Sequence, residues 1–95
     1  MATGQGTATI DFSTGSNEAS IAVTGQASIS ATSKAEAYFM GDDTTAYHSA
    51  NDHRFAAALV GLTCGTPTAG TGFTIYAKTA HRLTKTFQVH WVWAD

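Results

Sequence analysis

The 95-residue sequence predicts an all-β domain: an antiparallel β-sandwich (jelly-roll or Ig-like) or a small barrel, built from six to eight short strands. Three observations lead there. In Phe87-Gln88-Val89-His90-Trp91-Val92-Trp93, aromatic and β-branched residues take every second position, the signature of a strand with one buried face. The same alternation returns in shorter stretches separated by loops rich in Gly, Ser and Thr. No segment shows a convincing amphipathic helical period. Phe87, Trp91 and Trp93 share a face and bring roughly 150–250 Å² of apolar surface each. A lone strand cannot hide that much, so a second sheet must face it.

Taken in order, residues 1–6 are Gly-rich and without period, and read as a flexible N-terminal arm ahead of a single domain at 7–95. Residues 7–12 alternate, with Ala8, Ile10 and Phe12 directed inward. A turn-forming run at 13–17 follows, and Ala19, Ile21 and Val23 repeat the alternation up to Gly25. Residues 27–33 read as a weaker continuation through a bulge at Gly25. Residues 34–40 form a better strand, Ala35, Ala37 and Phe39 on one side and Glu36, Tyr38 and Met40 on the other. Residues 41–53 are a long loop with room for one helical turn near Ser49. Residues 54–64 suit a helix by propensity at Phe55-Ala56-Ala57-Ala58-Leu59, but the strands on either side favour one long strand. Residues 65–72 are loop, residues 73–78 alternate with Phe73, Ile75 and Ala77 inward, and 79–86 is again loop. The last two strands, 73–78 and 87–93, are expected to pair with each other.

Composition narrows the function classes. Hydrophobic residues make up 43% of the chain, but charged residues only 13%, about half the ~25% of a typical globular protein. Small neutral residues replace the missing charges, and such a surface is poorly protected against association. With a net charge of −2 there is no basic footprint for nucleic acid. No apolar run reaches the ~18 residues needed to cross a bilayer, and residues 1–6 have neither the basic region nor the apolar run of a signal peptide. The expectation is a chain made in the cytoplasm, with neither nucleic acid nor membrane as a partner. Cys64 has no second Cys to pair with and reads as a small buried hydrophobe.

The densest chemistry lies in Tyr47-His48-Ser49-Ala50-Asn51-Asp52-His53. Imidazole and carboxylate at this spacing would supply metal ligands on a helical turn. His48 and His53, however, are not i, i+4, and no Glu completes a zincin motif. A hydrolytic triad of Ser49, Asp52 and either His can be drawn, but no nucleophile elbow supports it. The expectation is a loop whose polar side chains cap backbone groups and meet a neighbour, with no catalytic residue, metal or cofactor. Asp42 and Asp43, adjacent in sequence, should point apart. If the last two strands pair, Tyr76, Lys78, Gln88 and His90 would form one polar-aromatic patch suited to a sugar or a neighbouring subunit. Candidate partner contacts are therefore Tyr47, His48, Asp52, His53, Tyr76 and His90. The basic run His81-Arg82-Leu83-Thr84-Lys85 reads as a solvated loop.

The phrases Val23-Thr24-Gly25-Gln26-Ala27, Gly72-Phe73-Thr74-Ile75-Tyr76 and 87–93, together with the His48–His53 loop, resemble small β-domain virion proteins of tailed bacteriophages. The likeness runs from residue 7 onward and includes no enzymatic motif. It implies a structural protein that acts by assembly in the virion: a capsid decoration (cementing) protein, or alternatively a tail or fibre component that recognises a carbohydrate receptor. The implied partners are further copies of the chain, as a homo-oligomer, and other virion proteins, with a glycan in the fibre case. No binding residue is carried over from this resemblance. A metal-dependent hydrolase built on residues 48–53 is the third alternative.

Overall fold

The computed structural model describes residues 2–95 as two three-stranded antiparallel sheets packed face to face. In chain order the elements are β1 (Thr3–Asp11), β2 (Ser16–Val23), β3 (Lys34–Tyr38), α1 (Ala50–Leu59), β4 (Val60–Cys64), β5 (Phe73–Leu83) and β6 (Thr86–Ala94). One sheet has the order β1-β6-β3, the other β2-β5-β4. The fold is thus an all-β sandwich of six strands.

Apart from β4 and β5, strands adjacent in sequence lie in different sheets. β1 pairs with β6 from Thr3↔Ala94 to Asp11↔Thr86, and β2 pairs with β5 from Ser16↔Leu83 to Val23↔Phe73. The molecule is a long two-stranded ribbon, β1-β2 running one way and β5-β6 the other, folded once upon itself. Its corner lies at residues 12–15 and 84–85, where Phe12 N–H donates to the Lys85 carbonyl (2.9 Å) and Lys85 N–H to the Ser13 carbonyl (2.8 Å). Ser13 (φ 55°) and Lys85 (φ 65°) adopt left-handed backbone there, which lets both chains turn within a few residues. β3 then adds beside β6, and β4 beside β5. The expected pairing of 73–78 with 87–93 is therefore wrong: the corner sends β5 and β6 into opposite sheets.

Between the sheets lie Ile10, Phe12, Ile75 and Val89, each at most 1% exposed. Phe12 meets Phe87 edge-on at 5.9 Å and Phe73 meets Trp91 likewise at 5.7 Å. Trp91 and Trp93 are 6% and 3% exposed, sealed in the core as the alternation predicts.

Residues 3–6 are strand, not a flexible arm, and Met1 lies outside the described residues. The glycines explain the difference. Gly6 stands opposite Trp91 and Gly4 opposite Trp93. A Cβ on Gly6 would lie 2.5 Å from Trp91 Cζ2, and one on Gly4 would collide with the Trp93 indole. Each indole lies across its glycine and reaches a further partner. Trp91 Nε1–H donates to the Thr7 carbonyl (3.3 Å), and Trp93 Nε1–H to Gln26 Oε1 (2.9 Å).

Residues 54–64 also depart from the expected single strand. Helix α1 occupies Ala50–Leu59, and the chain becomes extended only at Val60. Ser49 caps the helix: its hydroxyl accepts from Asp52 N–H while the Asp52 carboxylate accepts from Ser49 N–H. The Ala56-Ala57-Ala58 run then carries the helix at low cost. Residues 27–33 form turns instead of a strand, and bury Ile29 as a plug at the end of the sandwich away from the corner. The expected loop at 79–86 is mostly strand, β5 continuing to Leu83 before a two-residue turn.

Candidate functional site

The 41–53 segment folds against the edge of the first sheet, and the structure separates its candidate residues. β3 ends at Tyr38, opposite His90, so the next outward-facing N–H of β6, that of Gln88, has no strand to bond. His53 takes that place. Gln88 N–H donates to His53 Nε2 (2.9 Å), and the opposite ring nitrogen, Nδ1, donates to the Ser49 carbonyl (2.9 Å). His53 is 0% exposed, so it is not a partner contact. A side chain that stands in for a missing strand must lie inside the fold.

His48 is half-buried and stacks on Phe87, ring centroids 4.0 Å apart and 13° from parallel. Its Nε2 donates to the Thr84 carbonyl (2.7 Å), tying the loop to the ribbon corner, and its Nδ1 lies 3.3 Å from Asp52. The Asp52 carboxyl is held below the ordinary carboxylate range, first by the Ser49 backbone N–H and next by the His48 ring. Tyr47 is 61% exposed, with the Lys85 ammonium 5.2 Å from its ring centroid. Among the described residues, no three His, Cys, Asp or Glu side chains come close enough to hold a metal ion. Tyr47 and Asp52 reach solvent; His48 and His53 chiefly hold the loop in place.

Tyr76 and His90, expected in one patch, sit on opposite outer faces of the sandwich, because β5 and β6 belong to different sheets. Tyr76 is half-exposed at the centre of the β2-β5-β4 face, between Ser20 and Thr63. Glu18 and Lys78 form the neighbouring row with Gly61, and a shallow depression of about 470 Å³ runs past these side chains. On the other face, His90 lies between Thr7 and Tyr38 and stacks on the Tyr38 ring at 5.7 Å. His90 Nε2 and Asp43 are 3.0 Å apart, and the Asp43 carboxylate also accepts from Gln88 Nε2 (3.4 Å). A depression of about 310 Å³ opens beside them, over Gln5 and Thr7.

No family model, curated protein or solved structure matches this chain.

The functional reading therefore rests on the residues themselves. Asp43 is the side chain that sequence reasoning passed over. Adjacent Asp42 and Asp43 do point apart: the Asp42 side chain is 98% exposed beside Arg54, whereas that of Asp43 is 11% exposed against His90. The available signal was His90 itself, a ring facing outward from a central strand and needing a polar neighbour. Cys64 faces the interior from β4, and burial, aided by the Glu36 carboxylate, pushes its thiol pKa up, which disfavours the reactive thiolate. No helix is long and apolar enough to cross a membrane among the described residues.

A second feature unsuspected in the sequence is the outer edge of β1. The strand is nine residues long, and Asp11 at its end is its sole charge. Asp95 N–H donates to the Ala2 carbonyl and Phe12 N–H to that of Lys85, so the even-numbered residues of β1 bond toward β6. The backbone groups of Thr3, Gln5, Thr7, Thr9 and Asp11 consequently face away from the sheet. Among the described residues, the one additional bond to this row is the Trp91 indole under the Thr7 carbonyl.

Proposed function

We propose that this chain is a structural protein that acts by assembly: a virion component of a tailed bacteriophage, capsid decoration in preference to tail or fibre. The observation that carries the reading is the open, uncharged edge of β1. A free-standing β protein guards such an edge with charge, proline, a bulge or a covering loop; over Thr3–Ile10 β1 carries no charge, proline or ladder irregularity, and among the described residues no backbone group of another segment bonds its outer row. An unguarded edge fits a protein whose working state places it against another chain. The sparse charge of the surface agrees, since few fixed charges need desolvating on contact. Repetition over many copies turns modest single contacts into firm attachment. The assignment to a tailed phage comes from the resemblance of residue phrases such as Gly72-Phe73-Thr74-Ile75-Tyr76 to small phage β-domain proteins.

The experiment is quantitative mass spectrometry of purified virions from the phage encoding the chain. The reading expects the chain in multiple copies per particle, in fixed ratio to the major capsid protein. Its absence from washed particles would remove the virion assignment.

A second reading, sugar recognition, is favoured by Tyr76 alone. A half-exposed ring rising from Ser20, Thr63 and Gly61 offers a flat stacking surface with hydroxyls beside it. A glycan array would test it. Signals lost in Tyr76→Ala would favour it over assembly, and a blank array would exclude it.

A further inference from the structure

Resting on the assembly reading, we propose that the partner of the β1 edge is β1 of a second copy of this chain. The two strands run antiparallel about a two-fold axis at Thr7 and join the two β1-β6-β3 sheets into one continuous sheet.

The four sheet edges differ in how they are protected. β3 is five residues long and carries Lys34 and Glu36; β4 is also five residues long and is entered directly from α1. β2 carries Glu18 and an irregularity in its ladder between Ser16 and Glu18. β1 is the longest edge and the one without such devices.

A two-fold axis sets a demanding condition: every residue near it meets a copy of itself or of a close neighbour, so any charge there meets its own sign. From Thr3 to Ile10, β1 meets this condition, as it has no charge. An edge meant for a different protein would gain specificity from charge; an edge meant for itself must omit it.

The direction of the backbone groups agrees. With Thr7 on the axis, Thr7 pairs with Thr7, Gln5 with Thr9, and Thr3 with Asp11, all of them residues whose N–H and C=O face away from β6. About ten ladder bonds form, and no inward-facing residue changes face. On the outer face the axis brings together Thr and Gln side chains, a pairing that hydrogen-bonds well across strands. The Trp91 indole approaches the Thr7 carbonyl at 3.3 Å and leaves that oxygen's second lone pair for the ladder.

The test is sedimentation equilibrium from micromolar to submillimolar protein. The wild-type chain should pass reversibly to twice its 9.9 kDa mass. Thr7→Lys sets two ammonium groups against each other on the axis, and should weaken association at least tenfold. Thr63→Lys, on the outer face of the other sheet, should leave it unchanged. The double variants Gln5→Lys/Thr9→Lys and Gln5→Glu/Thr9→Glu should each remain monomeric and form a mixed dimer when combined. Circular dichroism at a concentration where all are monomeric confirms that each variant is folded. A wild-type chain that stays monomeric throughout overturns the proposal, as does an oligomer that survives Thr7→Lys. A monomer still found in particles would remove only the two-fold pairing, whereas a dimer missing from particles would remove the virion assignment and keep the pairing.

Discussion

The imidazole of His53 accepts Gln88 N–H and gives its own proton to the Ser49 carbonyl, so one side chain completes the β6 ladder where β3 has stopped. This partner set fixes the neutral Nδ1–H tautomer. His53→Phe keeps an aromatic ring in the site but leaves the Gln88 N–H without its partner, while the Ser49 carbonyl keeps the backbone N–H of residue 53 (3.1 Å). It should cost about 1–3 kcal/mol in urea unfolding, the penalty for burying an unsatisfied polar group. A loss under about 0.5 kcal/mol would mean that water replaces the ring. Gly6 makes a different demand, for space. Gly6→Ala places a methyl group against Trp91 Cζ2 and should cost about 1–3 kcal/mol, as overpacking does. Gln5→Ala, one residue away and facing solvent, should stay within about 0.5 kcal/mol. Equal effects at the two positions would show that the indole steps aside freely.

Elements that depend on local pattern were legible in the sequence; those that depend on distant chain were not. The alternation of 87–93 is a property of seven adjacent residues, and it correctly places Phe87, Val89, Trp91 and Trp93 inside. Nothing local reveals that the turn at Thr84-Lys85 changes sheets, because the corner is made by bonds from Phe12 and Ser13, some seventy residues earlier. The period-2 glycines Gly4 and Gly6 look like flexibility until the two Trp opposite them are known. Helix α1 escaped for a related reason: its buried side chains are only His53 and Ala56, too few for an apolar stripe. The readable cue was Ser49-x-x-Asp52, a capping box with Asp in place of the usual Glu or Gln. In the candidate loop the histidines were visible but their duties were not, since these are set by Gln88, Thr84 and Phe87 on other elements. Acid sensitivity belongs to this scale too, because carboxylates clasp element ends. Asp95 is held below the ordinary range, first by the Ser33 hydroxyl (2.7 Å) and then by Ala2 N–H (3.0 Å), and Asp52 by the helix cap. A depressed folded pKa adds stability above the unfolded value of about 3.9, and that stability is lost as pH falls through it toward the folded pKa. The share of Tm loss due to these groups should therefore appear below about pH 4, and Asp95→Asn should shallow the acid limb. An unchanged limb in the variant would disconnect Asp95 from acid unfolding.

For the molecule as a whole, the decisive quantity is how much of the core the two chain ends close together. Ala2 and Asp95 bond to each other twice, once through Asp95 N–H and once through the Asp95 carboxylate, while Ser33 holds the second carboxylate oxygen. Behind this clasp, residues 3–6 are the sole strand on one side of Trp91 and Trp93. Deleting residues 2–6 removes the backbone that both indoles lie across, together with four register pairs of the β1-β6 ladder. Uncovering on the order of 150 Å² of indole at ~25 cal/mol/Å² costs roughly 4 kcal/mol before any lost hydrogen bond is counted. A domain of this size holds only about 5–15 kcal/mol in total. The truncated chain should therefore lose on the order of 15–30 °C in Tm, or melt without a cooperative transition, and its tryptophan emission should shift to the red. The same deletion separates two accounts of the segment. A dispensable arm would leave Tm and emission in place and weaken only association, whereas a strand that roofs the tryptophans must take both down with it. Because the outer edge of that strand is also the proposed two-fold contact, association would be lost along with the fold. Only outward-facing substitutions such as Thr7→Lys, which spare the roof, can report on the interface alone.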